Sequence, residues 1–356
     1  MKLKLIVISL VAAMFFLPAV SLANTETRIV IDDVGREVSV PLNITKIAAL
    51  DPFAAELLVI IGAGDWIVSC PNGVKRNRLL HVLYPSLSEI PVVHPGGSIN
   101  AEELLALKPD VVLLKHSIYS SAAEVRKLER LGIPFLVVRC AGIEDQLNAL
   151  TLIGSLTGGK PQIKAGMIID YYRQTLELAA EKAQLLPNTD RIAVFHSYKE
   201  SLRTDGPDSG AEWIELVGCK NVSLDKGLRK SGSEYYASLE QVYEWNPDAI
   251  ICNDPLTVEF ILNNAKWQSL KAVGNSAVYA IPVGVTRWGQ QTSLETFFGM
   301  LWLGQTMYPE IYADVDLKTE VIMFYKKVYE LELDDVTYEM IMSGQGIRAT
   351  GGKQDK

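Results

Sequence analysis

The chain has 356 residues, 48% of them hydrophobic, and a formal net charge of −8. That length exceeds one ordinary hydrophobic core and suits two domains. The acidic balance excludes a nucleic-acid binder, which needs a basic face to meet phosphates.

The first segment reads as a secretory signal. Lys2 and Lys4 precede an apolar stretch over residues 5–20, and Ser21-Leu22-Ala23 supplies a small-x-small cleavage site. The apolar run falls short of the ~20 residues a spanning helix needs. No cysteine follows Ala23 to carry a lipid. The expectation is a signal peptide over residues 1–23, cleaved after Ala23, and a soluble periplasmic protein with no lipid anchor.

Residues 27–40 alternate apolar and polar side chains around Asp33-Val34-Gly35-Arg36, the pattern of a hairpin. A strand is expected over 46–50, then a helix over 52–61 that stops at Gly62-Ala63-Gly64. A strand over 66–69 leads into a long polar loop to about residue 90. Helices over 100–107 and 122–131 then alternate with strands over 111–114 and 134–138. This alternation argues for a parallel sheet covered by helices. A helical stretch over 143–186 pauses at Gly158-Gly159-Lys160-Pro161. The unbroken run over 162–185 is long enough to serve as a stiff connector. Beyond it come strands over 191–195, 249–252 and 277–281 and helices over 211–217 and 257–262. A helical region begins near residue 292, and the polar, Gly-rich tail past 344 is expected to be disordered.

One phrase occurs twice. Ser98 begins Ser-Ile-Asn-Ala-Glu-Glu-Leu-Leu-Ala-Leu-Lys-Pro-Asp-Val-Val-Leu-Leu, and Tyr236 begins Tyr-Ala-Ser-Leu-Glu-Gln-Val-Tyr-Glu-Trp-Asn-Pro-Asp-Ala-Ile-Ile-Cys. Glu102 precedes Pro109, and Glu240 precedes Pro247, by the same interval. The fixed offset points to two lobes of similar build with a ligand between them. Cys70 and Cys140 fall in the first half, Cys219 and Cys252 in the second. They could form one bridge per half or stay as free thiols, and the lack of CxxC spacing argues against a zinc site.

The chain resembles the substrate-binding proteins of ABC importers in the class with a rigid helical hinge, which carry iron–siderophore complexes, cobalamin and haem. Four stretches carry the likeness, in order. They are Ile31-Asp32-Asp33-Val34-Gly35-Arg36-Glu37-Val38 through Pro41; Ile47 to Leu50 with Glu56-Leu57 and Ile61-Gly62-Ala63-Gly64-Asp65; the repeated phrase; and Trp302-Leu303-Gly304 leading to Met307-Tyr308-Pro309-Glu310. The resemblance implies an α/β fold of two Rossmann-like lobes with parallel sheets, joined by one long α-helix, with the ligand cleft between them. The corresponding divisions are 24–160, 161–187 and 188–344, with a tail over 345–356. The implied function is capture of an iron-siderophore-type metal chelate for an inner-membrane ABC permease with its ATPase. Cobalamin, haem or a small oxyanion such as molybdate are the alternatives within that class. A monomer without cofactor is expected. The resemblance also implies that Glu102 and Glu240 dock onto permease arginines, with Glu103 as a rival to Glu102.

Cleft residues should follow strand C-termini, where open parallel sheets bind ligands. Arg287 and Trp288 lead, since a guanidinium clamps an anion and an indole stacks on a planar ligand. Lys115, His116, Tyr198, His196, His94, Arg229 and Phe53 complete the set. These candidates lean cationic on an acidic protein, which favours an anionic ligand. His94, His116 and His196 could instead converge on bare zinc or manganese. A secreted enzyme is the remaining class, but no GxSxG, HExxH or GxxxxGK[ST] motif is present. A single stiff helix is a poor hinge, so little lobe movement is expected on binding.

Overall fold

The computed structural model describes residues 26–346, apart from 199–201, 208, 225–226, 233 and 291. The expected signal peptide and the tail from residue 347 lie outside the described residues. Strands β1 (Thr27–Ile31) and β2 (Glu37–Pro41) form the expected antiparallel hairpin, with Gly35 at φ 81° in its turn. The buried Asp32 carboxylate anchors it. It accepts Val34 and Arg36 N–H groups, pairs with the Arg36 guanidinium at 2.7 Å and accepts Val137 N–H at 3.0 Å.

The first lobe then runs β3 (Ile47–Ala49), α1 (Pro52–Ile60), β4 (Ile67–Ser69), α2 (Arg78–Leu83), α3 (Ala101–Leu107), β5 (Val111–Lys115), α4 (His116–Tyr119), α5 (Ala122–Leu131) and β6 (Phe135–Val138). Its strands pair in the order β4-β3-β5-β6, all parallel. Helices cover both faces, so β3 and β6 are buried throughout and read as continuous apolar runs. The expected polar loop before residue 90 is instead folded. Short 3-10 turns at Val74–Arg76 and Pro85–Glu89 flank α2, and Leu79, Leu80 and Leu87 plug them into the core. Each element is too short to display a helical period.

Helix α6 (Ile143–Thr157) ends at Gly158, φ 64°, and α7 (Gly159–Gln184) starts at once. The two pack closely because a Cβ on Gly154 would lie 2.8 Å from that of Ala165. At 26 residues α7 is the long connector, roughly 39 Å from end to end.

The second lobe comprises β7 (Ala193–Ser197), β8 (Arg203–Thr204), α8 (Glu212–Leu216), β9 (Lys220–Asn221), β10 (Arg229–Ser231), β11 (Glu234–Tyr236), α9 (Leu239–Trp245), β12 (Ala249–Cys252), α10 (Pro255–Asn263), α11 (Lys271–Gly274), β13 (Val278–Ala280) and α12 (Thr296–Met307). Its parallel sheet has the order β13-β12-β7-β9. Ranked within each lobe, both sheets run second-first-third-fourth, so the repeated phrase is part of a whole repeated lobe. An antiparallel sheet, β10-β11-β8, is added here. Its strands of two or three residues carry no alternation that a sequence could display.

The C-terminal region packs back on the connector. Tyr171 and Tyr172 of α7 meet Phe297 of α12 with ring centroids 5.0 and 5.2 Å apart. Gly304 of the Trp-Leu-Gly motif abuts the Tyr312 ring, where a Cβ would come within 2.4 Å. All four cysteines are free thiols. Among the described residues, no helix is long and apolar enough to cross a membrane.

Candidate functional site

In each lobe the order of strands reverses between the first and third, β3 and β5 or β7 and β12. Ligand crevices form outside strand carboxyl ends at such points. Two adjoining cavities lie there, each lined from both lobes. The smaller, about 240 Å³, is lined by Glu56, Arg76 and Asn77 from the first lobe and by Thr286, Arg287 and Ser293 from the second. The larger, about 670 Å³, sets His116 and Ser117 against Tyr198, Arg203, Lys230 and Tyr235. Gln290 and Thr292 line both and join them.

Local structure fixes the smaller cavity. Buried Val74 seats the 3-10 turn that ends at Arg76. The Asn77 side chain caps α2, accepting from Leu79 N–H at 3.0 Å and Leu80 N–H at 3.3 Å. Its Nδ2 donates across the cleft to the Val285 carbonyl. On the other side, fully buried Glu295 braces the 285–287 segment. It accepts Thr286 N–H at 2.8 Å and Tyr325 O–H at 2.5 Å, while Thr286 and Ser293 hydroxyls meet at 2.8 Å. Burial pushes the Glu295 carboxyl up to about 7 against these bonds. Arg287 Nη1 donates to Gln290 Oε1 at 3.0 Å.

Glu56 projects from α1 into the same cavity. Burial, with the charges of Asp51 and Glu295 adding to it, raises its pKa to about 8. At neutral pH it is a neutral acid that can donate a hydrogen bond. Two guanidinium groups, a neutral acid, hydroxyls and amides make the smaller cavity net positive and rich in donors. That combination suits an oxyanion.

The wall of the larger cavity rests on a buried polar network. His196 Nδ1 lies 2.8 Å from Asp205 Oδ2, and Nε2 lies 2.9 Å from Asn253 Oδ1. Asp205 also accepts from Asn221 at 2.9 Å and from the Tyr198 hydroxyl at 3.0 Å. The Tyr198 ring stacks on the imidazole at 4.7 Å, and the Arg203 guanidinium lies over the Tyr198 ring at 4.9 Å from its centre.

Of the residues expected in the cleft, Arg287 lines the smaller cavity and His116 and Tyr198 the larger. Three others are placed in the interior rather than in the cleft. Trp288 is 0% exposed and packs against Phe298 at 5.2 Å. Phe53 is buried in α1, and His196 is sealed beneath Tyr198. His94 is half-buried and lines neither cavity, as do the exposed Lys115 and Arg229. The Arg229 guanidinium sits over Tyr236 at 4.6 Å. His94, His116 and His196 are thus not gathered, and no group of three His, Cys, Asp or Glu suited to a metal occurs among the described residues. Sequence reasoning missed Arg76, Asn77, Arg203, Lys230 and Tyr235 as cavity residues. It noted Glu56 only as part of a motif.

Glu102 and Glu240 are exposed, each second in its helix. Their neighbours are engaged locally. Glu103 N–H donates to the Asn100 side chain, whose amide donates to Glu103 Oε2 at 3.2 Å. Ser238 and Gln241 form the matching capping box in the second lobe.

The periplasmic binding protein family model matches residues 47–283. The chain is 27% identical to the molybdate-binding protein MolA of Haemophilus influenzae over 92% of this chain and 97% of that protein. A crystal structure of a periplasmic solute binding protein from Veillonella parvula superposes with a TM-score of 0.76 at 28% identity, covering 90% of this chain and 99% of the other. The structure of MolA bound to molybdate gives 0.73 at 23% identity, covering 86% and 99%.

Proposed function

This chain belongs to the periplasmic binding protein family, the solute-binding components of ABC importers, and on that premise we propose that it captures a small oxyanion of the molybdate kind. The observation that carries the proposal is the smaller cavity, whose volume and paired Arg76 and Arg287 suit a compact anion better than a bulky chelate. The relative named for molybdate adds support. The earlier expectation of an iron–siderophore chelate becomes the second reading. The larger cavity favours it, with Tyr198, Tyr235, Arg203 and Lys230 around about 670 Å³. Cobalamin and haem gain less, because Trp288 and Phe53 offer no surface. We assign residues 24–160 and 188–344 to the lobes and 161–187 to the connector, and place the mature protein in the periplasm after removal of 1–23.

Calorimetric titration with molybdate, sulfate and a ferric chelate at pH 7 and pH 9 tests the reading. Molybdate should bind and raise the melting temperature, since ligand at 100 times Kd adds about 2.7 kcal/mol. Its affinity should fall between pH 7 and 9 as Glu56, at about 8, ionises and sets a negative charge beside the anion. Glu56→Gln should flatten that dependence. Binding of the ferric chelate alone would transfer the assignment to the larger cavity.

Glu102 and Glu240 are proposed as the permease contacts. Glu103 is engaged with its own cap, which favours Glu102. Changing both contacts to alanine should abolish uptake while ligand affinity stays at the wild-type value. A parallel loss of affinity would contradict the docking role.

A further inference from the structure

The repeated phrase is repeated in three dimensions down to single residues. Residues 101–112 and 239–250 show the same succession of buried, half-buried and exposed positions, residue for residue. Both helices end on a left-handed residue, Lys108 at φ 50° and Asn246 at φ 39°. Asp110 and Asp248 then tie each unit to the first strand of its lobe. Asp110 accepts Thr45 and Lys46 N–H groups at 2.7 and 2.9 Å, and Asp248 accepts Ala193 N–H at 2.8 Å. Across these stretches few residue types are shared, yet each exposed position recurs.

One exposed position is apolar in both lobes. Leu105 is 52% exposed and Tyr243 is 38% exposed, each three residues beyond its glutamate. Residues three apart are neighbours on a helix surface, so each acid has a bulky apolar side chain beside it. A single exposed leucine would carry no meaning. The exposed apolar position recurs beside Glu102 and Glu240, at one place in two lobes of different sequence, and leaves bulky apolar surface in solvent in each lobe.

We infer that Leu105 and Tyr243 are the apolar halves of two equivalent docking knobs, and that the partner is a membrane permease with two equal sockets. Each socket would pair a cation for the glutamate with an apolar recess for its neighbour. The inference rests on the docking role proposed for the two glutamates. It adds a contact that salt does not screen to one that salt does.

The test is binding of the full-length protein to its permease–ATPase complex in lipid nanodiscs, at low and at high salt. Leu105→Ser with Tyr243→Ser should weaken docking about 10-fold or more at both salts, with ligand affinity unchanged. Glu102→Ala with Glu240→Ala should weaken it chiefly at low salt. Tyr243→Phe keeps the ring but drops the hydroxyl bond to the Lys266 carbonyl, and should dock like the wild type. Normal docking by the serine pair alongside failure of the alanine pair would overturn this inference and leave the glutamate role standing. Normal docking by both pairs would overturn both. A Tyr243→Phe protein as weak as Tyr243→Ser would trace the loss to the Lys266 bond and remove the ring from the interface.

Discussion

Arg287→Ala should lower oxyanion affinity roughly 10- to 100-fold, the scale of a lost charge-assisted hydrogen bond. Arg287 lines the smaller cavity on a segment locked by the buried Glu295, so its guanidinium is held in place before the ligand arrives. It also works largely out of water, where attraction is less screened than at the surface. Arg76 comes from an exposed position on a short turn, and Arg76→Ala should cost less. The two changes touch one ligand, so their effects should not add independently. Arg287→Lys should restore little, because a point charge cannot reproduce a planar fork of donors. Titration at fixed ionic strength measures these ratios, and an unchanged melting temperature of the free protein shows that the fold is intact. Wild-type molybdate affinity in Arg287→Ala would remove the smaller cavity from consideration.

The elements that establish the lobes were plain in the sequence because they are long or periodic. The run over 162–185 announced α7, and the Glu-to-Pro-Asp phrase announced the third strand of each lobe. The cleft was less legible. Arg76 and Asn77 sit in a stretch of one-turn elements, where no strand end marks a ligand loop. Arg287 and Trp288 are expected as ligand contacts for their chemistry, a guanidinium to clamp and an indole to stack. They sit in a tight bend closed by the Val283–Arg287 bridge, with Arg287 lining the cavity and Trp288 packed into the core. The two-residue period of a strand explains β7 and its end. His196 and Tyr198, two apart, share a side and stack, with Tyr198 facing the cavity and His196 beneath it. The small sheet that contributes Arg203, Lys230 and Tyr235 lay below any sequence period.

Asp205→Ala should be among the most destabilising single changes in the second lobe. Asp205 is buried and accepts from three side chains, His196, Asn221 and Tyr198. Removing it strands an imidazole, an amide and a hydroxyl in the core, which costs roughly 3–5 kcal/mol when one of them is a charge. For a lobe of this size that corresponds to about 10 °C in melting temperature. Burial opposes charge on His196, but Asp205 and Asn253 outweigh it and hold its pKa above the ordinary value. With Asn253 presenting oxygen, both ring nitrogens donate, as an imidazolium requires. A raised folded-state pKa gives stability that is fully present below the unfolded value near 6.5. That stability is lost as pH rises through the folded value. Calorimetric melting of the wild type should therefore show a decline on the alkaline side of 6.5, and Asp205→Asn should reduce its slope. Because Tyr198 loses its hydroxyl anchor in Asp205→Ala, any ligand held in the larger cavity should weaken in that variant. A melting temperature unchanged in Asp205→Ala would mean that the network contributes nothing to folding.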